Sequence, residues 1–298
     1  MTAATWSALL VALVGWLEPF GLAGKPSPTV PTPASAAPSV GALAALPGKT
    51  IDFAYDGADV KNPKAAYVGR AFVHDRVLAR GTAAKAPLVV FLHGLNKELI
   101  PHRWMGGGNE GDVRRIIAEL VDRGAIEPPI LAGPGSVVPE AVSRGASFVA
   151  FDLDRFVELT RDALSGTATI DERRIVVAGH SGAGCSAKGG LASVPHVHRT
   201  PLAVLAIDTC MPGALAEALG RAPARTHVVV TWQTASWSRE FEHFRRVFGA
   251  STKEHPPAEG TLRELDHLPA RPRAHDATVA QTFDKWLPRI LPPPPASP

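Results

Sequence analysis

The chain has 298 residues, 45% hydrophobic and 20% charged, with 31 Lys and Arg against 28 Asp and Glu and a formal net charge of +3. That length and balance allow one sizeable buried core with tails to spare, and they exclude a chain too polar to fold. No dense Lys/Arg run interleaved with aromatics occurs, which argues against nucleic acid as a partner; two cysteines without C-x-x-C or H-E-x-x-H spacing give no support to a metal site.

From the start, Trp6 to Leu17 is an apolar run that Glu18 and Pro19 stop at twelve residues, short of the ~20 that a stable membrane span requires. Followed by the small residues Gly21 and Ala23, residues 1–24 read as a secretory signal and imply a secreted or periplasmic protein. The first five residues carry no Lys or Arg, which leaves an interfacial anchor or a buried helix as the alternative. Residues 25–47 are rich in Pro, Ala, Ser and Thr without periodicity, the composition of an extended linker. Residues 292–298 are a Pro-rich tail, so the folded domain spans 48–291.

Inside it, Thr50 to Tyr55 and Ala66 to His74 read as early strands. Pro87 to Leu92 is a continuous apolar run, as expected of a strand covered on both faces. It leads into His93, Gly94, Leu95 and Asn96, then a loop from Lys97 to Asp112 that carries Trp104 and three glycines. That loop reads equally as part of a substrate wall or as plain surface. Val113 to Arg123 places Val113, Ile116, Ile117 and Leu120 at helical spacing. Ile130 to Pro134 is the next strand, and Asp152 to Leu164 the next helix, with Asp152 and Asp154 as cap and first-turn charges. Leu202 to Ile207, His227 to Trp232 and Thr261 to Leu265 are later strands, and Asp276 to Leu287 is a closing amphipathic helix. Strand and helix alternate as a mostly parallel sheet requires.

The central stretch is Ile175 to Ala178, a buried strand running into Gly179-His180-Ser181-Gly182-Ala183. Small residues from Cys185 to Leu191 then read as the start of a helix. A G-x-S-x-G-like string between strand and helix holds its serine in a sharp turn above the sheet edge, with small neighbours where strand and helix nearly touch. At the start of a helix, the Gly182 amide would face a developing oxyanion. Gly182, Gly184 and Ala187 also match a dinucleotide-binding G-x-G-x-x-A with Asp208 at the next strand end, but that fingerprint normally opens its domain. A glycine turn without chemistry is the remaining reading.

With Gly179-His180-Ser181-Gly182-Ala183, the pair His93-Gly94 after an early strand, and His275 before the last helix, residues 66–290 resemble the α/β-hydrolase superfamily. The resemblance implies a single domain of α/β-hydrolase fold, its mostly parallel central sheet flanked by helices. It implies Ser181 as nucleophile and the amides of Leu95 and Gly182 as the oxyanion hole. It also implies a histidine after the last strand, which is His275 with His267 as runner-up. The usual place for the acid, near Thr234 to Trp237, holds Ser236 and no carboxylate, a departure from the family pattern. Asp208, one strand earlier, takes that role, with Glu240 as runner-up. Asn96, Trp104 and His180 are the candidate substrate contacts.

The implied activity is hydrolysis of a carboxylic ester through an acyl-enzyme, with neither metal nor organic cofactor and with a small-molecule, peptide or cell-wall substrate. An amidase or peptidase uses the same parts, and a non-catalytic binding protein on the same scaffold is the rival from another class. Cys185 and Cys210 lie shortly after Ser181 and Asp208. If their strands are neighbours, both thiols reach the same sheet edge and a disulfide is open to them; the alternative is two small buried residues that merely pack.

Overall fold

The computed structural model describes residues 45–55, 67–108, 111–136, 145–269 and 274–294. The apolar segment 1–24, most of the linker 25–47 and the end of the tail 292–298 lie outside them. The described residues belong to a compact unit that begins at Ala45. Eight strands form one sheet: β1 (Gly48–Tyr55), β2 (Tyr67–His74), β3 (Lys85–Leu92), β4 (Ile130–Gly135), β5 (Thr169–His180), β6 (Ala203–Ile207), β7 (His227–Trp232) and β8 (Arg263–His267). Their spatial order is β1-β2-β4-β3-β5-β6-β7-β8. β2 runs antiparallel to β1 and β4, while every pairing from β4 through β8 is parallel.

Among the described residues six helices accompany the sheet: a single turn α1 (Asp75–Leu78), α2 (Val113–Asp122), α3 (Leu153–Ala163), α4 (Gly213–Gly220), α5 (Thr234–Glu254) and α6 (Ala274–Ile290). The central strands are apolar on both faces because each face has its own helical layer. Leu88, Val90, Ile175, Val177, Val204 and Val228 pack with Phe156 of α3, Leu215 of α4 and Phe244 of α5. Val89, Phe91, Val176, Leu205 and Val229 pack with Ile117 of α2 and with Val279 and Phe283 of α6. The period-two alternation of side chains therefore feeds two cores from the same strands. Asp112 and Asp152 cap α2 and α3, each carboxylate accepting a backbone N–H in the first turn. Among the described residues no helix is long and apolar enough to cross a membrane.

Two expectations are corrected. The last strand lies two residues later than Thr261 to Leu265, at Arg263–His267, because pairing with β7 sets Asp266 opposite Thr231 and His267 opposite Trp232. No α-helix starts at Cys185. The chain after β5 makes three short 3-10 turns, Ser181–Gly184, Gly190–Ala192 and Val194–His196, before β6. Glycine is a poor helix former, and Gly190 sits at a φ of 54°, outside any right-handed helix. Gly182 therefore owes its direction to a tight turn rather than to the end of a helix dipole.

A covalent tie stands where the helix was expected. Cys185 and Cys210 form a disulfide, with Cα atoms 4.8 Å apart and a sequence separation of 25. It joins the turn after β5 to the loop after β6. Closing a loop of that length stabilises a fold by about 3 kcal/mol in the chain-entropy model. The Cys185→Ser, Cys210→Ser double variant should therefore show a clearly lower urea midpoint than the oxidised protein. Equal midpoints would show that the bridge contributes nothing to stability.

Candidate active site

The parallel strands deliver their residues to one carboxyl edge. β5 ends at His180 opposite Ile207 of β6, so Ser181 and Asp208 leave neighbouring strands side by side. Ser181 has a φ of 53°, the left-handed region that ordinary residues avoid. Such a turn lifts a side chain off the strand line and persists only where the surroundings hold it. Those surroundings are tight: a Cβ on Gly94 would lie 2.8 Å from Ser181 Cβ, and one on Gly179 would lie 2.6 Å from Leu191 Cγ. Ser181, His275, Gly94, Leu95, Trp104 and His180 all line one cleft of about 340 Å3.

His275 stands in the first turn of α6, and its Nδ1 lies 2.6 Å from Asp208 Oδ2. Asp208 is fully buried, with a φ of 42°. The same Oδ2 accepts hydrogen bonds from Gln233 Nε2 and Ser236 Oγ, both at 3.0 Å. Trp237 Nε1 donates to the Asp208 carbonyl at 3.2 Å, and its backbone breaks the helical geometry of α5 at that point. A carboxylate accepts only, so Nδ1 of His275 carries the hydrogen and Nε2 carries the lone pair. The residues after β7, where the resemblance leads one to expect an acid, are thus donors to an acid on β6. Gln233 was not legible as a site residue, since a lone glutamine at a strand end carries no motif.

The two candidate oxyanion amides come together: a Cβ on Gly182 would lie 2.8 Å from the Leu95 nitrogen. Trp104 is buried at a φ of 64° and meets His180 edge to face at 5.5 Å, so it walls the cleft as an apolar surface. His180 also lines the cleft, but its Nε2 donates to the His275 carbonyl at 3.0 Å and its ring lies 4.5 Å from the His275 ring. It ties the turn after β5 to the start of α6. Arg103, which no motif flagged, lines the cleft and donates to the Leu95 carbonyl.

Three candidates lie elsewhere. Asn96 does not line the cleft; its amide bonds the Ile100 backbone in both directions and the Ser136 carbonyl, all at 2.9 Å, which shapes the loop. His267 is exposed at the end of β8, with Nε2 2.8 Å from Thr234 Oγ1. Glu240 is exposed on α5, while the acid position beside His275 is filled by Asp208. Among the described residues no group of three or more His, Cys, Asp or Glu is placed to hold a metal ion.

Burial dominates the titration of His180 and His93. It lowers His180 to about 3, reinforced by the neighbouring His275 and opposed by the bond to the His275 carbonyl. It lowers His93 to about 4 against the bond to the Gly94 carbonyl. Both rings are therefore neutral at ordinary pH.

No protein-family model matches this chain, and no curated protein matches it in sequence. Solved structures do match in shape. A ferulic acid esterase is 13% identical with a TM-score of 0.57, over 83% of this chain and 99% of that one. The feruloyl esterase module from Clostridium thermocellum, an S954A mutant complexed with sinapinate, is 12% identical with a TM-score of 0.51, over 82% of this chain and 88% of that one. A thermostable esterase is 18% identical with a TM-score of 0.53, over 80% of this chain and 60% of that one. With the strand order above, these likenesses establish that the chain has the α/β-hydrolase fold.

The buried neutral histidines carry a stability signature. In the unfolded chain each charges near the ordinary imidazole value of 6.5, but in the folded protein it stays neutral until about 3 for His180 and about 4 for His93. The unfolded state thus binds more protons in that window, and stability falls as pH drops below 6.5, by about 1.4 kcal/mol per pH unit for each histidine. His74, His102 and His227 are lowered first by burial as well and act in the same direction. Urea unfolding between pH 6.5 and 4.5 should show a steep fall in stability, shallower by about one proton in His180→Gln. A flat profile would overturn the assignment.

Proposed function

We propose that the chain is a serine hydrolase that cleaves a small carboxylic ester through an acyl-enzyme. The observation that carries this is the 2.6 Å bond from His275 Nδ1 to the buried Asp208, in a cleft shared with Ser181. In this reading, Ser181 Oγ attacks the ester carbonyl carbon and its proton passes to His275 Nε2. Asp208 keeps the imidazole in the required tautomer and stabilises the imidazolium. The carbonyl oxygen becomes an oxyanion facing the amides of Leu95 and Gly182. Collapse expels the alcohol, which takes the proton from Nε2, and leaves Ser181 acylated. A water then gives its proton to Nε2 and attacks the acyl carbon; the bond to Ser181 Oγ breaks, Oγ takes the proton back from Nε2, and the acid is freed.

Ester rather than amide cleavage draws support from the names of the similar structures, which include a ferulic acid esterase and a thermostable esterase. A cleft of about 340 Å3 suits a small acyl group. Export to an oxidising compartment is part of the proposal, and the Cys185–Cys210 bridge supports it.

A fluorophosphonate probe should label the protein at Ser181, and a panel of p-nitrophenyl and hydroxycinnamate esters beside anilides should show turnover of esters. Ser181→Ala should lose labelling and lower turnover by roughly a thousandfold or more while the fold is retained. Asp208→Asn should also cut turnover severely, and Glu240→Gln should leave it near the starting value. Unchanged turnover in folded Ser181→Ala would end this reading; the reverse order of the two acid variants would move the acid to α5.

A further inference from the structure

We propose that Ser147 is a positioning residue that aims the oxyanion hole. The proposal rests on the serine-hydrolase reading above and names a residue that no motif in the chain marks. Ser147 lies on the irregular segment ahead of α3 and is buried, 1% exposed. Its Oγ donates to the Gly94 carbonyl at 3.0 Å, and its N–H donates to the Gly182 carbonyl at 3.0 Å. One residue thus grips both loops that carry the oxyanion amides.

The grip on Gly94 determines direction. A peptide group is planar and trans, so the Gly94 carbonyl and the Leu95 N–H point opposite ways. Holding that carbonyl toward Ser147 turns the Leu95 amide the other way. A second donor holds the same carbonyl. His93 Nε2 accepts the Ser136 N–H at 2.9 Å, so the neutral ring carries its hydrogen on Nδ1, which lies 2.6 Å from the Gly94 oxygen. Two donors on one carbonyl restrict the rotation of the peptide far more than one does.

Next to Ser147 the backbone is strained. Phe148 has a φ of 58°, a conformation that a bulky side chain adopts only where its surroundings hold it. Its ring meets the His93 ring at 4.8 Å, and its carbonyl accepts the Gly190 N–H at 2.8 Å. The strained residue therefore wedges Ser147 between the loop after β3 and the turns after β5. Space there admits little more than a hydroxyl, since a Cβ on Gly182 would lie 3.2 Å from Ser147 Oγ.

The test compares matched esters and thionoesters, in which sulfur replaces the carbonyl oxygen and accepts hydrogen bonds poorly. The full chain and Ser147→Ala are used, each normalised to the fraction that a fluorophosphonate titrates at Ser181. Oxyanion charge develops only in the transition state, so Ser147→Ala should lower kcat on the order of ten- to a hundredfold with KM nearly unchanged. The oxygen-over-sulfur ratio in kcat/KM should fall with it. Ser147→Cys, nearly isosteric with a weaker donor, should give intermediate values and serves if Ser147→Ala does not fold.

An unchanged ratio, with or without a drop in kcat, would show a structural serine and overturn the proposal. Failure of the unsubstituted protein to turn over any ester or to be labelled at Ser181 is a separate result. It ends the hydrolase reading itself and takes this proposal with it.

Discussion

A carboxylate with no solvent exposure sits at the junction of four elements, and its hydrogen bonds determine how they meet. Unpaired, a buried charge costs several kcal/mol. Asp208 avoids that cost because His275 of α6, Gln233 at the end of β7 and Ser236 of α5 all converge on its Oδ2. The backbone is enlisted too, its N–H bonding to Thr231 of β7 and its carbonyl accepting from Trp237. The left-handed φ of 42° that this demands is tolerable for aspartate, one of the few residues besides glycine that visits the region readily. The orientation of His275 thus depends on a carboxylate that β6, β7 and α5 jointly hold.

The position of that acid explains the composition around it. An acid carried by β6 is one strand, about 4.8 Å, nearer to Ser181 than an acid on β7 would be. Reaching His275 then requires the space after β7 to be filled with donors, because a second carboxylate there would repel the first. Gln233 and Ser236 meet that need, and the break in α5 at Trp237 lets the indole reach the Asp208 carbonyl. The stretch from Thr234 to Trp237, which holds no carboxylate, thus supplies hydrogen-bond donors to Asp208 instead.

The legible parts of the chain were those with a repeating signal. β3, β6 and β7 are continuous apolar runs, and the amphipathic faces of α2, α3 and α6 follow helical spacing, so their places could be read directly. His275 and Asp208, which the structure brings together, begin or follow such elements. The turns after β5 read as a helix in the sequence because spacing does not record that Gly190 needs a left-handed φ or that a disulfide ties the segment at Cys185. Asn96 beside His93-Gly94 looked like a substrate contact, yet its amide serves the loop's own backbone. Gln233, Ser147 and Arg103 make side-chain hydrogen bonds to other segments of the chain, and no local pattern announces such bonds.

How a strained turn at Ser181 stays in place without a following helix is answered by cross-links. In a helix, hydrogen bonds along the chain would stiffen the residues after the nucleophile. Here the restraints run between loops. Ser147 holds the Gly182 carbonyl, Phe148 holds the Gly190 N–H, and Cys185 is bonded to Cys210 on the loop that carries Asp208. Close packing adds to this: a Cβ on Gly184 would lie 2.7 Å from Thr209 Cβ, and one on Gly189 would lie 2.0 Å from the Val149 carbonyl oxygen. Gly189 meets backbone and Gly184 the Thr209 side chain at such separations, so both glycines are required by contact. Rigidity that a helix would supply locally is distributed across the loops after β3, β4, β5 and β6. The proposed nucleophile, acid and oxyanion amides are consequently held by one another's loops.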